Sequence, residues 1–429
     1  MKEKKSLETA LEVERALVVG VNIDSDPYFA DSIEELKNLA YACGIEIAGE
    51  VTQNLQRVNA AHYVGTGKLD EIRDLADREE VDLLIFEDEL TPSQIRNLSK
   101  LVDVEVLDRS RLILEIFSGR AQTREAKMQV EIARLRYALP RLRNTNQNFS
   151  RQRGGTGTKN RGAGETKLEL SRRKIESQIT ELEKELANIA VNRQIQRKKR
   201  SDSGIPKVAL VGYTNAGKST LMNHLVTQFQ QSEEKLVFEK DMLFATLDTS
   251  VRNIRFADGK TILLSDTVGF VSKLPHHLVK AFHSTLEEVI EADLLLHVVD
   301  FSNPNYQQQV NVTNDTLKDI GAADVPQILV YNKVDLASNE LSDHEQNVVK
   351  ISAKKGLGFS KLINEISEQV FATYVKCQLV IPFAEGQIIS YLKENANVMD
   401  LEYVDTGAQL TVELSEADFE KYKKYVLVM

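Results

Sequence analysis

A glycine-rich loop near the middle of the 429-residue chain has the residue types and spacing of a phosphate-binding loop. Its members are Gly212, Tyr213, Thr214, Asn215, Ala216, Gly217, Lys218 and Ser219, and Thr220 follows. The loop joins a predicted strand at residues 208–211 to a predicted helix, so main-chain N–H groups and the positive end of that helix can face an anion. We expect Lys218 to act as a catalytic group on the β- and γ-phosphates of a nucleotide and the Ser219 hydroxyl to bind Mg²⁺.

A second phosphate motif lies downstream: Asp266, Thr267, Val268 and Gly269. It follows a predicted strand at residues 261–264, which should pair with residues 251–256 across a turn at Asp258-Gly259. Asp266, at the strand end, is placed to hold Mg²⁺ through water, and the Gly269 N–H is placed to meet the γ-phosphate. The motif is short, and its position after the glycine-rich loop is what gives it weight.

A third motif selects the base. Asn332, Lys333 and Asp335 follow an apolar strand predicted at residues 327–331. A carboxylate at Asp335 can accept from both N1–H and the N2 amine of guanine, whereas adenine offers neither donor. Ser352, Ala353 and Lys354 follow another predicted strand, where main-chain N–H groups could meet guanine O6. The ordered set of motifs therefore predicts GTP rather than ATP.

The segment between the two phosphate motifs contains the predicted switch. Thr246 is expected to act in catalysis by binding Mg²⁺ in the GTP state, with Phe244 and Ala245 beside it and Thr249 as the competing choice. Phe270 follows Gly269, at a position where many GTPases have a glutamine that orients the attacking water. Because a phenyl ring cannot orient water, we expect slow hydrolysis by the isolated protein.

Alternating strand and helix patterns on both sides of these motifs predict an α/β fold. Residues 204–372 should form a doubly wound domain with a mostly parallel sheet, which would carry the nucleotide site. A small α/β domain is predicted at residues 1–108, a basic antiparallel helical hairpin at residues 109–200, and a small α+β domain at residues 373–429.

The predicted hairpin rests on two apolar repeats with helical spacing. One repeat contains Met128, Ile132, Leu135 and Leu139, and the other contains Ile175, Ile179, Leu182, Leu186 and Ile189. Pro140 is expected to end or bend the first helix. A polar, glycine-rich tip is predicted at residues 144–164, and residues 197–204 read as a linker.

Charge is distributed very unevenly along the chain. The net charge is −10, but residues 109–200 contain 23 Lys/Arg and 9 Asp/Glu, and eight basic residues with no acid lie between Arg134 and Arg161. Such a cluster favours a polyanionic partner, and the alternative is a solvated pair of charged helices. The predicted RNA contacts at the tip are Arg151, Arg153, Lys159 and Arg161.

Several other classes of protein are disfavoured. The two cysteines, Cys43 and Cys377, form no C-x-x-C pair, which argues against a zinc ribbon and fits a reducing cytosol. The charged start is unlike a signal peptide, and no run of about 20 apolar residues is present. The segment Gly65 to Lys68 imitates a phosphate loop but lacks the required residues at His62 and Leu69, so it is read as a turn entering a helix.

The chain resembles the HflX family of GTPases, within the Obg/HflX-like superfamily, over almost its whole length. The resemblance is carried by residues 153–157 and 161–169 with Arg172-Arg173, by residues 121–130 and 63–68, and by residues 241–248 and 266–270. It implies a cytoplasmic GTPase that binds the large ribosomal subunit and dissociates idle or stalled ribosomes under stress, with hydrolysis stimulated by the ribosome. Asn215 also matches an asparagine that supports K⁺ binding in some related GTPases.

Other functions stay open on the sequence alone. One is a GTPase accessory to tRNA modification or ribosome assembly, which binding to tRNA without ribosomes would favour. Another is a scaffold whose nucleotide is structural, and a third is a membrane-associated GTPase, against which the missing lipid-anchor motif counts. We expect a monomer without a membrane span.

Overall fold

The computed structural model describes residues 13–145, 160–201, 205–229, 243–244, 247, 249–275, 283–337 and 347–427. The chain divides into two compact units. The first comprises Met1–Leu186 with Lys273–Ala281, and the second comprises Ala187–Ser272 with Phe282–Met429.

The first unit contains a four-stranded parallel sheet. Its strands are β1 (Arg15–Ile23), β2 (Glu46–Leu55), β3 (Leu83–Phe86) and β4 (Glu105–Asp108), in the order β2-β1-β3-β4. The inner strands β1 and β3 are nearly continuous runs of buried apolar residues, as expected where helices cover both faces of a parallel sheet. All four strands lie within residues 1–108, the range predicted for a small α/β domain.

Four helices accompany this sheet: α1 (Phe29–Ala42), α2 (Thr66–Glu79), α3 (Pro92–Leu98) and α4 (Arg109–Arg120). Helix α3 begins with a capping box in which Thr91 and Gln94 satisfy each other's main-chain N–H groups. Gly65 precedes the first residue of α2, and Lys68 pairs with Glu71 on the same helix at 2.7 Å. The segment that imitates a phosphate loop is therefore the entry to a helix, as predicted.

Two long helices follow, α5 (Arg124–Thr145) and α6 (Asn160–Ser201). Pro140 was expected to end or bend helix α5, and the helix continues through it, so it does not end there. Proline in a helix costs about 3 kcal/mol, and the packing of α5 against α3 and α4 offsets that cost. Helix α6 begins before Gly162 and Gly164 and extends past Arg200, so residues 160–164 of the predicted tip and 197–201 of the predicted linker are helical. Glycine in a helix costs only about 1 kcal/mol.

A buried carboxylate fastens α5 to the end of β4. Asp108 is fully buried and accepts hydrogen bonds from the main-chain N–H groups of Leu90 and Arg111 at 3.1 and 2.8 Å. The Tyr137 hydroxyl and the Arg141 guanidinium also donate to it, at 2.9 and 3.2 Å. Arg141 in addition stacks on the Tyr137 ring, 3.4 Å from its centroid. Burial raises the pKa of Asp108, and these four donors compensate the charge of the carboxylate.

Three of the eight clustered basic residues are engaged within the first unit. Besides Arg141, Arg136 pairs with Glu183 at 2.6 Å and Arg134 lies 3.8 Å from Glu115. Arg141 is largely buried against its partners, whereas Arg134 and Arg136 form partly exposed ion pairs, which compensate their charge only in part. Of the four predicted RNA contacts, Arg151, Arg153 and Lys159 lie outside the described residues, and for Arg161 only the backbone, in the first turn of α6, is described.

The second unit is built on a six-stranded sheet. Its strands are β5 (Lys207–Val211), β6 (Ser250–Arg255), β7 (Thr261–Asp266), β8 (Leu294–Asp300), β9 (Gln327–Asn332) and β10 (Val348–Lys350), in the order β10-β9-β8-β5-β7-β6. Only β6 runs antiparallel to its neighbour, and the Gly259 N–H closes the β6–β7 turn by donating to Phe256 O at 3.0 Å. The helices are α7 (Lys218–Phe229), α8 (His283–Ile290), α9 (Tyr306–Asp319) and α10 (Phe359–Val370).

This topology confirms the predicted α/β fold and places the motifs. The five parallel strands direct their carboxyl ends to the same edge of the sheet, where ligands bind in doubly wound proteins. The glycine-rich loop leaves β5 and the Asp266 motif leaves β7. The Asn332 motif leaves β9 on the other side of β8. Phosphate-binding and base-binding motifs therefore flank the strand β8.

A three-stranded antiparallel sheet completes the second unit. Its strands are β11 (Val375–Ile381), β12 (Asn397–Val404) and β13 (Gly407–Leu414), in the order β11-β13-β12. Two helices accompany them, α11 (Gly386–Asn395) and α12 (Glu416–Tyr422). Short 3₁₀ turns lie at Phe383–Glu385 and Lys423–Tyr425. Lys260, in the β6–β7 hairpin, pairs with Glu413 of β13 at 2.8 Å and lies over the Phe371 ring. Of the helices described in either unit, none has the length and apolar character needed to cross a membrane.

Candidate functional site: a guanine-nucleotide pocket

The backbone conformation of the glycine-rich loop requires glycine at Gly212 and favours asparagine at Asn215. A Cβ on Gly212 would lie 2.2 Å from the main-chain oxygen of Val298, and the φ angle of +138° there suits glycine alone. Asn215 has a φ angle of +59°, a left-handed conformation that asparagine tolerates better than most residues, and its side chain is exposed. The loop can therefore turn tightly enough to direct its N–H groups inwards.

Lys218 lies at the base of this loop. Its side chain is buried, and the ammonium donates to the main-chain oxygens of Gly212 and Tyr213 at 3.0 and 2.7 Å. Burial lowers the pKa of Lys218 to about 8, and the nearby carboxylate of Asp266 acts in the opposite direction. A cation held in such a low-dielectric position interacts strongly with phosphate oxygens, which is the role the sequence predicts for it.

Two oxygen ligands suited to Mg²⁺ lie next to the loop. The Ser219 hydroxyl donates to Asp266 Oδ2 at 2.7 Å, and Asp266 is fully buried at the end of β7. A hydroxyl and a carboxylate beside a phosphate-binding loop are the hard donors that Mg²⁺ prefers. Thr267, by contrast, donates its hydroxyl to Leu210 O at 2.6 Å, so its side chain fixes the loop to β5.

The glycine-rich loop and the Asp266–Phe270 loop are joined by hydrogen bonds. Thr214 N–H donates to Phe270 O at 2.8 Å, and Phe270 N–H donates to Gly212 O at 3.1 Å. The Tyr213 hydroxyl accepts from Ser272 N–H at 2.6 Å. The sequence motifs gave no sign of this last contact, because a tyrosine in the loop has no role in the phosphate-binding pattern itself. Movement of either loop must therefore affect the other.

Asn332 connects the phosphate-binding and base-binding loops. Its side-chain amide donates to Ala216 O at 2.8 Å, and its side-chain oxygen accepts from Ala353 N–H at 2.9 Å. The residue is buried, and a Cβ on Gly217 would lie only 2.3 Å from its amide nitrogen. One side chain therefore sets the distance between the loop that holds phosphate and the loop predicted to meet guanine.

Lys333 and Asp335, in the motif predicted to bind the base, have polar partners within the second unit. Lys333 donates to Asp300 at the end of β8, at 2.7 Å, a partner that no motif indicated. In the sequence, the one feature that could have indicated Asp300 is its position as a carboxylate at the end of the segment that forms β8. A hydrogen bond from the Ser352 hydroxyl lowers the pKa of Asp335. The Lys355 ammonium, 3.3 Å from Asp335 Oδ2, lowers it further. Asp335 is thus kept as the carboxylate that guanine recognition requires.

The predicted site residues are partly brought together. The glycine-rich loop, Asp266, Gly269, Asn332 and Ser352 lie around one edge of the sheet. Within the protein, the Ser352 N–H donates to Leu357 O at 3.1 Å. Phe244 is buried with a φ angle of +54°, whereas Ala245 and Thr246 lie outside the described residues. Lys354 is exposed. The individual ligand contacts of all these residues stay predictions.

One buried histidine lies beneath the phosphate loop. His297, in β8, is 1% exposed, and its Nδ1 has no hydrogen-bond partner in the described part of the chain. Burial lowers the pKa of His297 to about 4, and the positive charge of Lys218 acts in the same direction. A neutral imidazole next to Lys218 avoids placing a second cation there.

Phosphate-binding and guanine-selecting loops on one edge of a doubly wound sheet define a P-loop GTPase, an enzyme that binds GTP and hydrolyses it. Family models match along the chain, with these descriptions: GTP-binding GTPase N-terminal at residues 30–118, GTP-binding GTPase Middle Region at 120–200, 50S ribosome-binding GTPase at 207–333, and HflX C-terminal domain at 337–426. The chain belongs to the HflX family of GTPases.

Curated relatives support this assignment over most of the chain. The GTPase HflX of Caldanaerobacter subterraneus subsp. tengcongensis is 41% identical, covering 98% of this chain and 95% of the relative. The GTPase HflX of Escherichia coli K12 is 36% identical, covering 88% of each. Among solved structures, a GTP-binding protein from the archaeon Sulfolobus solfataricus in complex with GDP is 24% identical, with a TM-score of 0.44, covering 83% of this chain and 99% of that one.

Replacing Asn332 with Asp should weaken GTP binding by at least about tenfold, because the variant loses the donor to Ala216 O and places a buried charge beside that oxygen. Isothermal titration calorimetry with GTP measures the effect. Asn364→Asp, a change of the same chemistry at an exposed position of α10, is the matched control and should bind normally. Unchanged affinity in the Asn332 variant would show that the bridge does not organise the pocket.

Replacing His297 with Leu should flatten the pH dependence of stability in the second unit. The folded pKa of about 4 lies below the unfolded value of 6.5, so the unfolded state binds the extra proton first and stability falls as the pH drops between these values. The loss between pH 7 and 5 is about 2 kcal/mol for the natural residue.

Hydrogen exchange of the β8 amides at the two pH values, corrected for intrinsic rates, measures this loss. His62→Leu, which alters a partly exposed histidine in the first unit, should leave the β8 profile as it is. A profile for His297→Leu that still falls by the full amount would assign the acid sensitivity to other groups.

Proposed function

We propose that this GTPase works in the cytoplasm as a monomer that binds the large ribosomal subunit and dissociates idle or stalled ribosomes under stress. Residues 207–333 match a family described as a 50S ribosome-binding GTPase, which supports the choice of partner. The observation that carries the proposal is the presence, in one chain, of the ordered guanine-nucleotide motifs and of a strongly basic segment in an otherwise acidic sequence.

The basic residues most suited to contact RNA are those of the cluster that have no carboxylate partner described in the first unit. Arg134, Arg136 and Arg141 have carboxylate partners inside the first unit, which compensate part of their positive charge. The remaining basic residues of the cluster run from Arg143 to Arg161 and include the four predicted contacts. No acidic residue lies between them, so ribosomal RNA would meet an uninterrupted positive segment.

GTP would control this binding through the two loops next to the phosphates. In the proposed cycle, the γ-phosphate and Mg²⁺ order the Thr246 segment and the Asp266–Phe270 loop, and this form binds the ribosome. Hydrolysis removes the γ-phosphate and releases the particle. Because Phe270 cannot orient water, hydrolysis by the protein alone is slow, and the ribosome accelerates it.

K⁺ is proposed as a second cation, beside the exposed side chain of Asn215. Hydrolysis should then be roughly tenfold faster in K⁺ than in Na⁺ at equal ionic strength, since the ion would stabilise charge that develops on the phosphates. Asn215→Gly removes the side chain and suits the left-handed backbone, so this variant should lose the difference between the two salts. Equal turnover of the natural protein in both salts would count against the proposal.

The ribosome proposal is tested by co-sedimentation with 50S and 70S particles in GTP, GDP and a non-hydrolysable GTP analogue. Binding and loss of 70S particles should require GTP or the analogue, and repeated rounds should require hydrolysis. Replacing Arg151, Arg153 and Arg161 with Ala should leave GTP affinity intact and lower particle binding at least tenfold. It should also reduce the slope of log K against log salt by about two to three.

A matched control variant removes three positive charges from helices outside the basic segment. Arg73, Arg78 and Lys318 are all at least half exposed on other helices, and changing these three to Ala should leave particle binding near normal. Equal losses in the two triple variants would make the effect one of net charge. Nucleotide-independent sedimentation, or retention of tRNA without ribosomes, would contradict the proposed function and favour an accessory role on tRNA.

A further inference from the structure

A threonine in the phosphate loop has a hydroxyl without a partner. Thr214 is only 6% exposed, and its Oγ1 accepts and donates no hydrogen bond among the described residues. A buried hydroxyl left unsatisfied costs about 1–3 kcal/mol. Such groups are rare in native proteins and call for an explanation, and a functional role is one of the few.

The surroundings of Thr214 show where its side chain lies. A Cβ built on Gly269 would be 2.8 Å from both Thr214 Cα and Thr214 Cγ2, and 2.9 Å from Lys218 Nζ. The three residues therefore converge within a few ångströms. In P-loop GTPases the lysine and the Gly269 N–H are the groups that face the terminal phosphate of GTP, so Thr214 lies beside the position of that phosphate.

The neighbouring side chain cannot supply polar chemistry at this point. Phe270 is 3% exposed, and its main chain is tied to the phosphate loop through Gly212 and Thr214. A phenyl ring has neither donor nor acceptor, whereas a hydroxyl has one donor and two acceptor positions. The Thr214 side chain lies beside the position of the terminal phosphate and carries a hydroxyl with no partner among the described residues, so it can offer the polar chemistry that Phe270 lacks.

We propose that Thr214 is a further catalytic residue for GTP hydrolysis, whose hydroxyl hydrogen-bonds the γ-phosphoryl group and the attacking water. In the step, a bond forms between the water oxygen and the γ-phosphorus, and the bond from the γ-phosphorus to the bridging oxygen breaks. The electron pair of that bond stays on GDP, and the proton of the water goes to the phosphate product. Thr214 keeps its own proton and acts by position and hydrogen bonding.

The test compares Thr214→Val, which keeps the shape and removes the hydroxyl, with Thr214→Ser, which keeps the hydroxyl. In single-turnover hydrolysis of GTP by the full chain without ribosomes, valine should lower the rate by about 10–100-fold and serine by no more than about threefold. GDP affinity should stay within about twofold for both, because GDP lacks the phosphate in question. Valine should also lose binding of GDP with aluminium fluoride, an analogue of the transferring phosphoryl group.

The alternative outcomes each decide against the proposal. Hydrolysis at the natural rate in Thr214→Val would overturn it, and so would an equal fall in the serine and valine variants, which would assign the effect to packing of the methyl group. If Thr214→Val also lowers GDP affinity, the hydrolysis rates of Thr214→Ser and Thr214→Ala are compared instead, because these two variants differ only in the hydroxyl. Serine must then be faster by at least about tenfold.

Discussion

The nucleotide pocket depends on one buried amide, the side chain of Asn332. It donates to the carbonyl of the phosphate loop at Ala216 and accepts from the N–H of the base loop at Ala353. A side chain with both a donor and an acceptor is required, since the two loops present groups of opposite kind. If the distance between these loops changed, a nucleotide could not bind through its phosphates and its base at the same time.

The sheet order explains why such a bridge is needed. The phosphate motifs leave β5 and β7 and the base motifs leave β9 and β10, with β8 in between. Strand β8 carries no recognised motif, but it supports both halves. Its last residue, Asp300, holds Lys333 at 2.7 Å, and His297 remains neutral beside Lys218. The strand therefore fixes the base motif and avoids adding positive charge beneath the phosphate loop.

Polar groups are buried in this protein where two elements must keep a fixed relation. In the first unit Asp108, at the end of β4, accepts from four donors: one in the segment before α3, one in α4 and two in α5. In the second unit Tyr213 and Thr214 tie the phosphate loop to the segment after Gly269. Each buried polar group would be costly without partners, so each contact favours one arrangement over its alternatives. Thr214 Oγ1 is an exception, which is why its chemistry is informative.

The sequence by itself determined the nucleotide class and the local form of its motifs. A strand, a glycine-rich loop and a helix in succession dictate a phosphate site, because the residues involved are contiguous and their backbone needs are local. The element types and the α/β class followed from periodicity in the same way. Pro140 was expected to end or bend α5, and the helix does not end there, because packing against α3 and α4 offsets a local preference.

Only the tertiary structure decided which distant residues meet. Asn332 lies 116 residues from Ala216, and Asp300 lies 33 residues from Lys333, so no spacing rule could pair them. The same holds for Arg141, which reads as a member of a basic cluster but binds Asp108. Composition gives the charge of a segment, whereas the fold decides which of those charges have partners and leaves the buried Thr214 hydroxyl without one among the described residues.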